Sequence, residues 1–364
     1  MTVPLAVLDL APLVAGGTAG DALHRTIDLA RRADQAGYSR YWVAEHHLTP
    51  GVASSQPALL LGQLAAATGR IRLGSGAIQT GYLTPLAIVE QFGMLDALYP
   101  GRFDLGLGRS AQKASAVVPR EARVVDGLLI PKPFSFAKIR ASARSKLFAS
   151  LLQLPGTEPP AFTEVLDRLQ ALLAGPVTDG EGNEARAVPG EGAGLQLWLL
   201  GSSGGESAQE AGARGLPFAA NYHVAPASVL EAVGAYRDAF RPGVLPEPYV
   251  MVSADVLVAP DDSTARELAT PYALWVHSIR TGRGAIPYPS PAAAAAVYES
   301  WSAEDHDLVA DRLATRFAGS PATVAERLET LQRVTGADEL LVTTMTYEHA
   351  DRVRSFELLA KEWF

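Results

Sequence analysis

The residues of this sequence that could do chemistry cluster where apolar, strand-like runs end. Glu45-His46-His47 closes one such run, and a Gly-Ser-Ser-Gly-Gly turn at 201–205 follows the apolar run Leu195–Leu200. Neighbouring side chains on a strand point to opposite faces, so His46 and His47 are poorly arranged to share a metal ion. One of them is therefore a candidate acid–base or hydrogen-bonding group, and a buried histidine paired with Glu45 is the alternative.

The turn at 201–205 is a candidate anion site, because a helix pattern begins directly after it at Glu206. A strand, a short Gly/Ser turn and a helix start together present free backbone N–H groups and the positive end of a helix dipole, which suits a phosphate. An ordinary strand-to-helix turn has the same sequence, and both interpretations stay open on this stretch alone. Arg109, which follows the strand pattern Arg102–Leu107, is placed to meet an anion as well.

A second phosphate pattern is present but weak. Residues 106–111 read Gly-Leu-Gly-Arg-Ser-Ala and match the G-x-G-x-x-A fingerprint of dinucleotide-binding folds. The match lies on the fourth predicted strand, no clean helix follows it, and no acidic residue ends a second strand about 20 residues later. We interpret it as a chance match.

The elements that must position these residues repeat with a regular period. Gly37, Gly69 and Gly101 are spaced 32 residues apart, each after a helix pattern and before a strand pattern, which indicates repeated βα units. Eight strand patterns are found in all, and eight alternating strands favour a (β/α)8 barrel over a doubly wound sheet. The predicted strands are Thr2–Leu10, Arg40–Glu45, Ile71–Ala77, Arg102–Leu107, Leu195–Leu200, Leu216–Ala220, Tyr249–Val258 and Glu339–Thr344.

We predict one domain over residues 1–364, with insertions after the fourth strand (110–160) and after the seventh (278–305). In such a barrel functional groups gather at the carboxyl ends of the strands. Those ends place Leu10, His47, Tyr222 and His223 near the candidate catalytic residue His46, as candidate residues of a hydrophobic or aromatic substrate pocket.

Composition narrows the class of protein. The chain is 48% hydrophobic, has no cysteine and has a net charge of −8, so a disulfide framework is excluded and a nucleic-acid partner is disfavoured. A signal peptide would require a basic residue near its start, but no Lys or Arg precedes Arg25. No run is long and apolar enough for a membrane span. We expect a cytoplasmic protein that acts on a small molecule without a metal.

Taken together, these stretches resemble the flavin-dependent, bacterial luciferase-like monooxygenases. The resemblance points in particular to single-chain actinobacterial members, some of which tailor polyketides. Its residues occur in family order along the chain: Arg40–Leu48, Arg70–Ala77, Thr84–Arg109, Leu197–Pro217 and Ala337–Met345.

The resemblance implies a flavin mononucleotide (FMN) at the carboxyl end of the barrel and a homodimer. A separate flavin reductase would supply the reduced FMN, and O2 would add at C4a of the flavin before one oxygen atom passes to the substrate. His46 matches the histidine beside the reacting edge of the flavin. The other matched positions are Gly76 and Ala77 (a non-proline cis peptide under the ring), Arg109 and Ser202 (the phosphate), and Ser203 and Gly204 (amides beside it).

Several departures leave alternatives open. Ser110-Ala111-Gln112-Lys113 replaces the turn usual after the arginine, only His223 remains of an adjacent histidine pair, and Gly108 stands where light-emitting members have a cysteine, which argues against bioluminescence. The same barrel could use deazaflavin F420 for hydride transfer, or bind a flavin without catalysis.

Residues 109–146 hold nine basic and two acidic side chains. They could form a solvated loop, a lid whose field attracts an anionic flavin, or a docking surface for an acidic partner such as a carrier protein that holds the substrate.

Overall fold

A computed structural model describes residues 2–109, 119–153 and 156–364 of the chain. Its strands are β1 (Leu5–Asp9), β2 (Arg40–Val43), β3 (Arg72–Ser75), β4 (Ile78–Gln79), β5 (Phe103–Gly108), β6 (Arg123–Val125), β7 (Leu128–Ile130), β8 (Val177–Thr178), β9 (Glu184–Ala185), β10 (Gln196–Gly201), β11 (Phe218–Asn221), β12 (Val250–Val258), β13 (Phe317–Gly319) and β14 (Glu339–Thr343).

Its α-helices are α1 (Ala19–Ala36), α2 (Pro57–Ala67), α3 (Pro85–Leu98), α4 (Ala137–Arg140), α5 (Ala143–Leu152), α6 (Phe162–Ala174), α7 (Glu206–Ala213), α8 (Val229–Ala239), α9 (Asp262–Ala269), α10 (Pro271–Arg280), α11 (Pro291–Glu299), α12 (Ala303–Thr315), α13 (Pro321–Thr335) and α14 (His349–Trp363). A single 3-10 turn spans Pro226–Ser228.

Eight parallel strands close into a barrel, in the order β1, β2, β3, β5, β10, β11, β12 and β14. Two pairings complete the ring: β10 pairs with β5, with Trp198 opposite Gly106, and β14 pairs with β1. The predicted (β/α)8 fold is confirmed, and each of its eight predicted strands overlaps an observed one. The 32-residue period reflects the chain geometry, since Gly37 ends α1 with a φ of 92°, a left-handed conformation that suits glycine.

Strand alternation sorts side chains into two apolar layers. On β12, Val252, Ala254 and Val256 face the surrounding helices, whereas Ser253 and Asp255 face the interior of the barrel, where they line a cavity. The inner layer includes Trp42 and Trp198, whose rings meet edge to face with centroids 5.2 Å apart. The barrel is therefore filled by side chains at its centre and open only towards one end.

Ion pairs and hydrogen bonds link the amino ends of several barrel strands. Asp104 is fully buried, and its carboxylate accepts hydrogen bonds from Arg40 Nη1 at 2.8 Å, Arg72 Nε at 2.8 Å and Trp42 Nε1 at 2.9 Å. Arg40 also donates to Glu339 on β14 at 3.0 Å. This network links four barrel strands at the end opposite to the cavity.

The two predicted insertions contain more regular structure than the sequence patterns indicate. After β5 the chain forms the antiparallel hairpin β6–β7 and the helices α4 and α5. After β12 it forms α9 to α12 and the short strand β13, which extends the pairing of β12. The sequence pattern at 278–305, with prolines at 287, 289 and 291 before a run of alanines, predicts a loop and a short helix, and the chain forms a loop at 281–290 followed by α11. Pro271 and Pro291 occupy the first turns of α10 and α11, where proline is well tolerated.

Within the described ranges, none of the helices combines the length and the apolar character that crossing a lipid bilayer requires.

Candidate functional site

A cavity of about 600 Å³ opens at the carboxyl ends of the barrel strands. This volume is in the range of sites that hold a cofactor or a drug-sized ligand. Most of the residues predicted to form the site lie on its wall, which joins contributions from every part of the barrel rim. They are Leu10, His46, Gly76, Ala77, Arg109, Ser202, Ser203 and His223.

One end of the cavity has the donors that an anion needs. Ser202 and Ser203 follow β10 in the turn that leads into α7, and no side chain caps the first turn of that helix. Arg109 lies at the end of the neighbouring strand β5 and lines the same part of the wall. A guanidinium, two hydroxyls and an open helix N-terminus together suit a phosphate group.

The same end also contains an acidic side chain. Arg109 Nη1 lies 3.0 Å from Glu206 Oε2, the first residue of α7, and both side chains are partly exposed. A phosphate at this position would compete with the Glu206 carboxylate for the arginine. The fit of the donor set is therefore good, with Glu206 as an unfavourable charge beside it.

Gly204, the remaining residue predicted to contact the phosphate, is not on the cavity wall. A Cβ built on Gly204 would lie 3.1 Å from Glu231 Cγ and from Ala235 Cβ on α8. The glycine lets the turn pack closely on that helix. It therefore shapes the turn that presents Ser202 and Ser203.

His46 lies on the cavity wall directly after β2, where its backbone N–H donates to the Ser54 carbonyl at 2.8 Å. Its side chain lines the cavity and is exposed there. Burial, together with the nearby His47, lowers the pKa of His46 to about 4. The side chain is therefore a neutral imidazole near pH 7, able both to donate and to accept a hydrogen bond.

Glu45 and His47 form a pair behind His46. His47 Nε2 is 2.8 Å from Glu45 Oε1, and the backbone N–H of Gln79 donates to Glu45 Oε2 at 3.0 Å. Burial raises the pKa of the Glu45 carboxyl, and its hydrogen bonds oppose that rise. The alternative of a histidine satisfied by Glu45 thus applies to His47, and His46 is left facing the cavity.

The floor of the cavity beside His46 is built from small residues. The Gly76–Ala77 peptide bond is cis, as the resemblance implies, and both residues line the cavity. A Cβ on Gly76 would lie 2.8 Å from Leu8 Cδ1, so a larger residue would have to displace the Leu8 side chain. This small-residue floor leaves room for a flat ring above it.

The opposite side of the cavity is formed by β12 and the helices inserted after it. His223 Nδ1 is 2.5 Å from Ser253 Oγ, and burial, with smaller effects of Arg312 and His46, lowers the pKa of His223 to about 4. Asp255 Oδ2 accepts a hydrogen bond from Arg312 Nη2 at 2.8 Å. This side therefore combines neutral imidazoles with a charged pair.

Two candidate pocket residues lie elsewhere. The hydroxyl of Tyr222 donates to the Leu129 carbonyl at 2.8 Å and its ring packs on Phe317, so the side chain points away from the cavity. His47 pairs with Glu45 and meets the Tyr82 ring edge to face. Neither side chain is on the wall of the cavity formed by the described residues, so this geometry does not support their placement in a substrate pocket. Tyr222 follows β11 directly and is turned outward by strand alternation, whereas His47 lies beyond the end of β2 and is held by its pair with Glu45.

Sequence reasoning missed several residues of the wall: Phe136, Ser253, Asp255, Trp275 and Arg312. One acid inside the apolar run of β12 was a signal for Asp255, because a charge in a buried strand needs a partner. Arg312 and Trp275 lie on helices of the insertion, and nothing in their local pattern points inward.

The insertion after β5 contributes to the wall as well. Phe136 lines the cavity, and Phe134 stacks under Arg280 of α10, with the guanidinium carbon 4.3 Å from the ring centre. Arg144 donates to the carbonyls of Gly282 and Arg283. The described part of this basic segment therefore packs over one side of the cavity, while the altered turn at 110–113 lies outside the described residues.

The glycines of the dinucleotide-like pattern have a packing role. Gly106 lies inside β5, and a Cβ there would be 2.0 Å from the Ser75 carbonyl oxygen of the adjacent strand. Glycine is needed for the close approach of β3 and β5. Among the described residues, no group of three His, Cys, Asp or Glu side chains is arranged to hold a metal ion.

Comparison with known proteins gives the family. The model of the luciferase-like monooxygenase family matches residues 4–124 and 155–339. The chain is 39% identical over 361 residues to the uncharacterised protein YvbT of Bacillus subtilis, covering 99% of this chain and 96% of that protein. It is 35% identical to a luciferase-like monooxygenase of Escherichia coli strain K12, covering 98% and 96%.

Solved structures agree. The structure of apo-MsnO8 superposes with a TM-score of 0.80 at 32% identity and covers 99% of this chain and 98% of its own. Two more distant structures share the fold and differ in cofactor. One is the oxygenating component of 3,6-diketocamphane monooxygenase from Pseudomonas putida with FMN, at 19% identity and a TM-score of 0.67, covering 99% of this chain and 98% of that one. The other is an F420-dependent secondary alcohol dehydrogenase with an F420–acetone adduct, at 14% identity and a TM-score of 0.63, covering 100% of both chains.

Proposed function

Because the chain belongs to the luciferase-like monooxygenase family, we propose that it is an FMN-dependent, two-component monooxygenase that oxygenates an apolar or aromatic small molecule. The observation that supports this most directly is the shared cavity. Arg109 and Ser202 line one end, and His46 and the small-residue floor of Gly76 and Ala77 lie on the same wall.

Each of these residues has a task that its geometry permits. Arg109, Ser202 and Ser203 would hold the phosphate, and the floor would support the ring of the flavin. Reduced FMN, when bound, supplies the electrons that activate O2. His46, neutral near pH 7, would donate a hydrogen bond to the oxygen-bearing edge of the bound ring or take up a proton there.

The apolar wall has a protective task in this proposal. Leu8, Leu10, Val52, Phe136 and Met345 line the cavity and would keep water from the reacting atoms. Arg102 and Asp96, which belong to the resembling stretch, are structural. Arg102 donates to backbone carbonyls at the end of α2, and Asp96 accepts from the N–H groups of Gly101 and Gly194.

A separate reductase would deliver the reduced FMN, because the one dinucleotide-like pattern is used for packing between β3 and β5. We further propose that the chain acts in the cytoplasm as a homodimer.

Whether the protein binds FMN or F420 decides between the proposed function and its alternatives. Under anaerobic conditions, reduced FMN and reduced F420 are titrated into the protein, and FMN is expected to bind more tightly. After mixing with O2, bound reduced FMN should reoxidise with kinetics that differ from those of free reduced FMN. Preferential binding of F420 with hydride transfer would support the F420 alternative, and binding without any change in reoxidation would support a non-catalytic flavoprotein.

Two substitutions test the assigned roles. His46→Ala should lower the turnover of a coupled substrate by about a hundredfold, the scale of a lost acid–base group, with little change in FMN affinity. Arg109→Gln should weaken FMN binding without changing the affinity for riboflavin, which lacks the phosphate. Equal effects on FMN and riboflavin would show that Arg109 does not bind the phosphate. His24→Ala, at an exposed histidine on α1, is the matched control for His46→Ala.

A further inference from the structure

The side of the cavity opposite to Arg109 contains a buried charged cluster that the proposed function does not use. We call Asp255, Tyr272, Arg312 and Arg316 the Asp255 cluster. Arg312 Nη2 is 2.8 Å from Asp255 Oδ2 and 2.5 Å from the Tyr272 hydroxyl, which itself donates to Asp255. Asp255 and Arg312 both line the cavity, so the cluster forms part of its wall.

The cluster has one positive charge more than its carboxylate can balance. Arg316 is 4% exposed, and its guanidinium carbon lies 4.3 Å from the centre of the Tyr272 ring. Its hydrogen bonds go to the carbonyls of Ala269 and Met345, and in the described ranges no carboxylate forms an ion pair with it. Two guanidinium groups therefore lie over the Tyr272 ring beside the single carboxylate of Asp255, which pairs with Arg312. An unbalanced buried charge is costly, and an anion bound beside it would lower that cost.

The hydrogen-bonding capacity of the cluster is also incompletely used. Arg312 is 8% exposed, and both of its hydrogen bonds to described residues are donated by Nη2, while Nε has no partner among them. Trp275, also 8% exposed, lines the same cavity and stacks on Tyr272, and its indole N–H has no partner among the described residues. Buried donors of this kind normally have an acceptor.

Besides His223 and Ser253, this side of the cavity carries a group of apolar side chains. Val52, Phe136, Ile279, Ala285 and Met345 line it, with His46 on the same wall. A molecule that fits here would place a charged head at Arg312 and a hydrocarbon or aromatic body among these side chains. Its body would then extend towards His46.

We propose that the Asp255 cluster binds a carboxylate of the substrate, so that the enzyme acts on an apolar organic acid. Arg312 holds the carboxylate, and Trp275 donates a further hydrogen bond to it. This assignment rests on the proposed monooxygenase function for the identity of the bound molecule as substrate. The binding site itself can be tested without turnover.

The test measures binding of two acids and their neutral amides to the full-length protein by isothermal titration calorimetry. The probes are octanoate with octanamide and 3-phenylpropionate with 3-phenylpropionamide. At least one acid should bind about tenfold more tightly than its amide, the scale of one charge-assisted hydrogen bond. Added salt should weaken the binding of the acid and leave the binding of the amide unchanged.

Substitutions make the test specific to the cluster. Arg312→Gln should weaken the binding of the acid by about tenfold, and Trp275→Phe should weaken it by about threefold. Asp255→Asn removes the competing carboxylate. It should tighten the binding of the acid by about threefold or more and leave the affinity for the amide unchanged. A purely structural ion pair would not give this gain.

The matched control is a second, largely buried ion pair that involves α12. Arg280 of α10 is paired with Asp311 of α12, and neither residue lines the cavity. Asp311→Asn should leave the affinities of acid and amide unchanged. Thermal melts identify any variant that does not fold, and Trp275→Phe, which keeps the aromatic packing, still tests the site in that case.

The outcomes separate this proposal from the proposed function. Equal affinities of each acid and its amide, an absence of binding by both acids, or an Asp255→Asn variant that behaves like Asp311→Asn would overturn the carboxylate site. Reduced FMN is titrated into the same variants. If the acids are discriminated while FMN does not bind, the site stands and the monooxygenase proposal fails.

Discussion

His46 and His223 lie on one cavity wall, and burial keeps both imidazoles neutral at pH values where a free histidine is charged. The pair therefore links the chemistry of the site to the stability of the protein. A group with a pKa near 4 in the folded state and near 6.5 in the unfolded state opposes folding whenever the unfolded chain binds the extra proton.

The free energy of unfolding should therefore fall as the pH drops from about 6.5 to about 4, with the full contribution of both histidines present above this window. His223→Gln should reduce the fall, measured by chemical denaturation at a series of pH values. His24→Gln, at an exposed position on α1, should not change it. An unchanged pH profile in His223→Gln would contradict the assignment of a neutral imidazole at this position.

Glu206 is an acidic side chain placed against the proposed phosphate donors, at 3.0 Å from Arg109. Glu206→Gln removes this competition, so FMN affinity should rise by about twofold to fivefold, as for a partly exposed charge pair. Fluorescence titration of FMN measures the change, and riboflavin affinity should stay constant. Glu210→Gln on the same helix, where the carboxylate pairs with Arg214, is the control. A loss of FMN affinity in Glu206→Gln would show that the glutamate supports the site.

At this scale the sequence predicted the residues at strand ends better than those on inserted helices. Arg109, His46 and Ser202 follow strands of the regular repeat, and their resemblance to a known family fixes their register. Arg312 lies on an amphipathic helix, and whether its guanidinium faces solvent or the cavity depends on how α12 packs on α10. That packing is decided by tertiary contacts that no local pattern records.

Among the elements, β2, β3, β5 and β14 are joined at their amino ends by the network around Asp104. Asp104 is fully buried and pairs with two arginines, so its loss removes the carboxylate partner of Arg72 and leaves Arg40 with Glu339.

Asp104→Asn should lower the free energy of unfolding by about 3–5 kcal/mol, the usual cost of breaking a buried ion pair. Urea denaturation followed by circular dichroism measures it, and ligand affinities at the opposite end of the barrel should change little while the protein is folded. Glu164→Gln, which breaks an exposed pair with Arg168, should cost no more than about 0.5 kcal/mol. Similar costs for the two substitutions would contradict the role of the network.

The barrel could be predicted from the sequence because each of its units repeats the same local signals. A glycine after the helix and an apolar run of strand length recur, and these signals depend on chain geometry more than on neighbours. The insertions depart from the repeat. The hairpin β6–β7 packs on α13, and α10 packs on α12, so the patterns of these elements alone did not predict them.

For the whole molecule, the proposed homodimer needs an apolar surface, and α2 and α3 offer one. Leu59 on α2 is 76% exposed, and Met94 and Leu98 on α3 are 58% and 69% exposed. Met94 and Leu98 are one helical turn apart, so they lie on the same face, and α2 contacts α3. A second copy of the chain would cover these side chains.

Leu98→Glu should therefore shift the protein from dimer to monomer, because the interface would have to bury an unpaired charge. Light scattering coupled to size-exclusion chromatography measures the mass. Leu151→Glu on α5, at a position that is 63% exposed, should leave it unchanged. A wild-type mass equal to that of one chain would contradict the dimer.

The position of Trp275 gives the molecule an intrinsic optical signal. Its indole forms part of the cavity wall, whereas Trp42 and Trp198 lie together inside the barrel. Excitation energy absorbed by these rings can transfer to a flavin bound nearby, so tryptophan fluorescence should decrease as the cavity fills. Occupancy could then be followed in unlabelled protein, and the share lost in Trp275→Phe would report how much of the dimming comes from the wall itself.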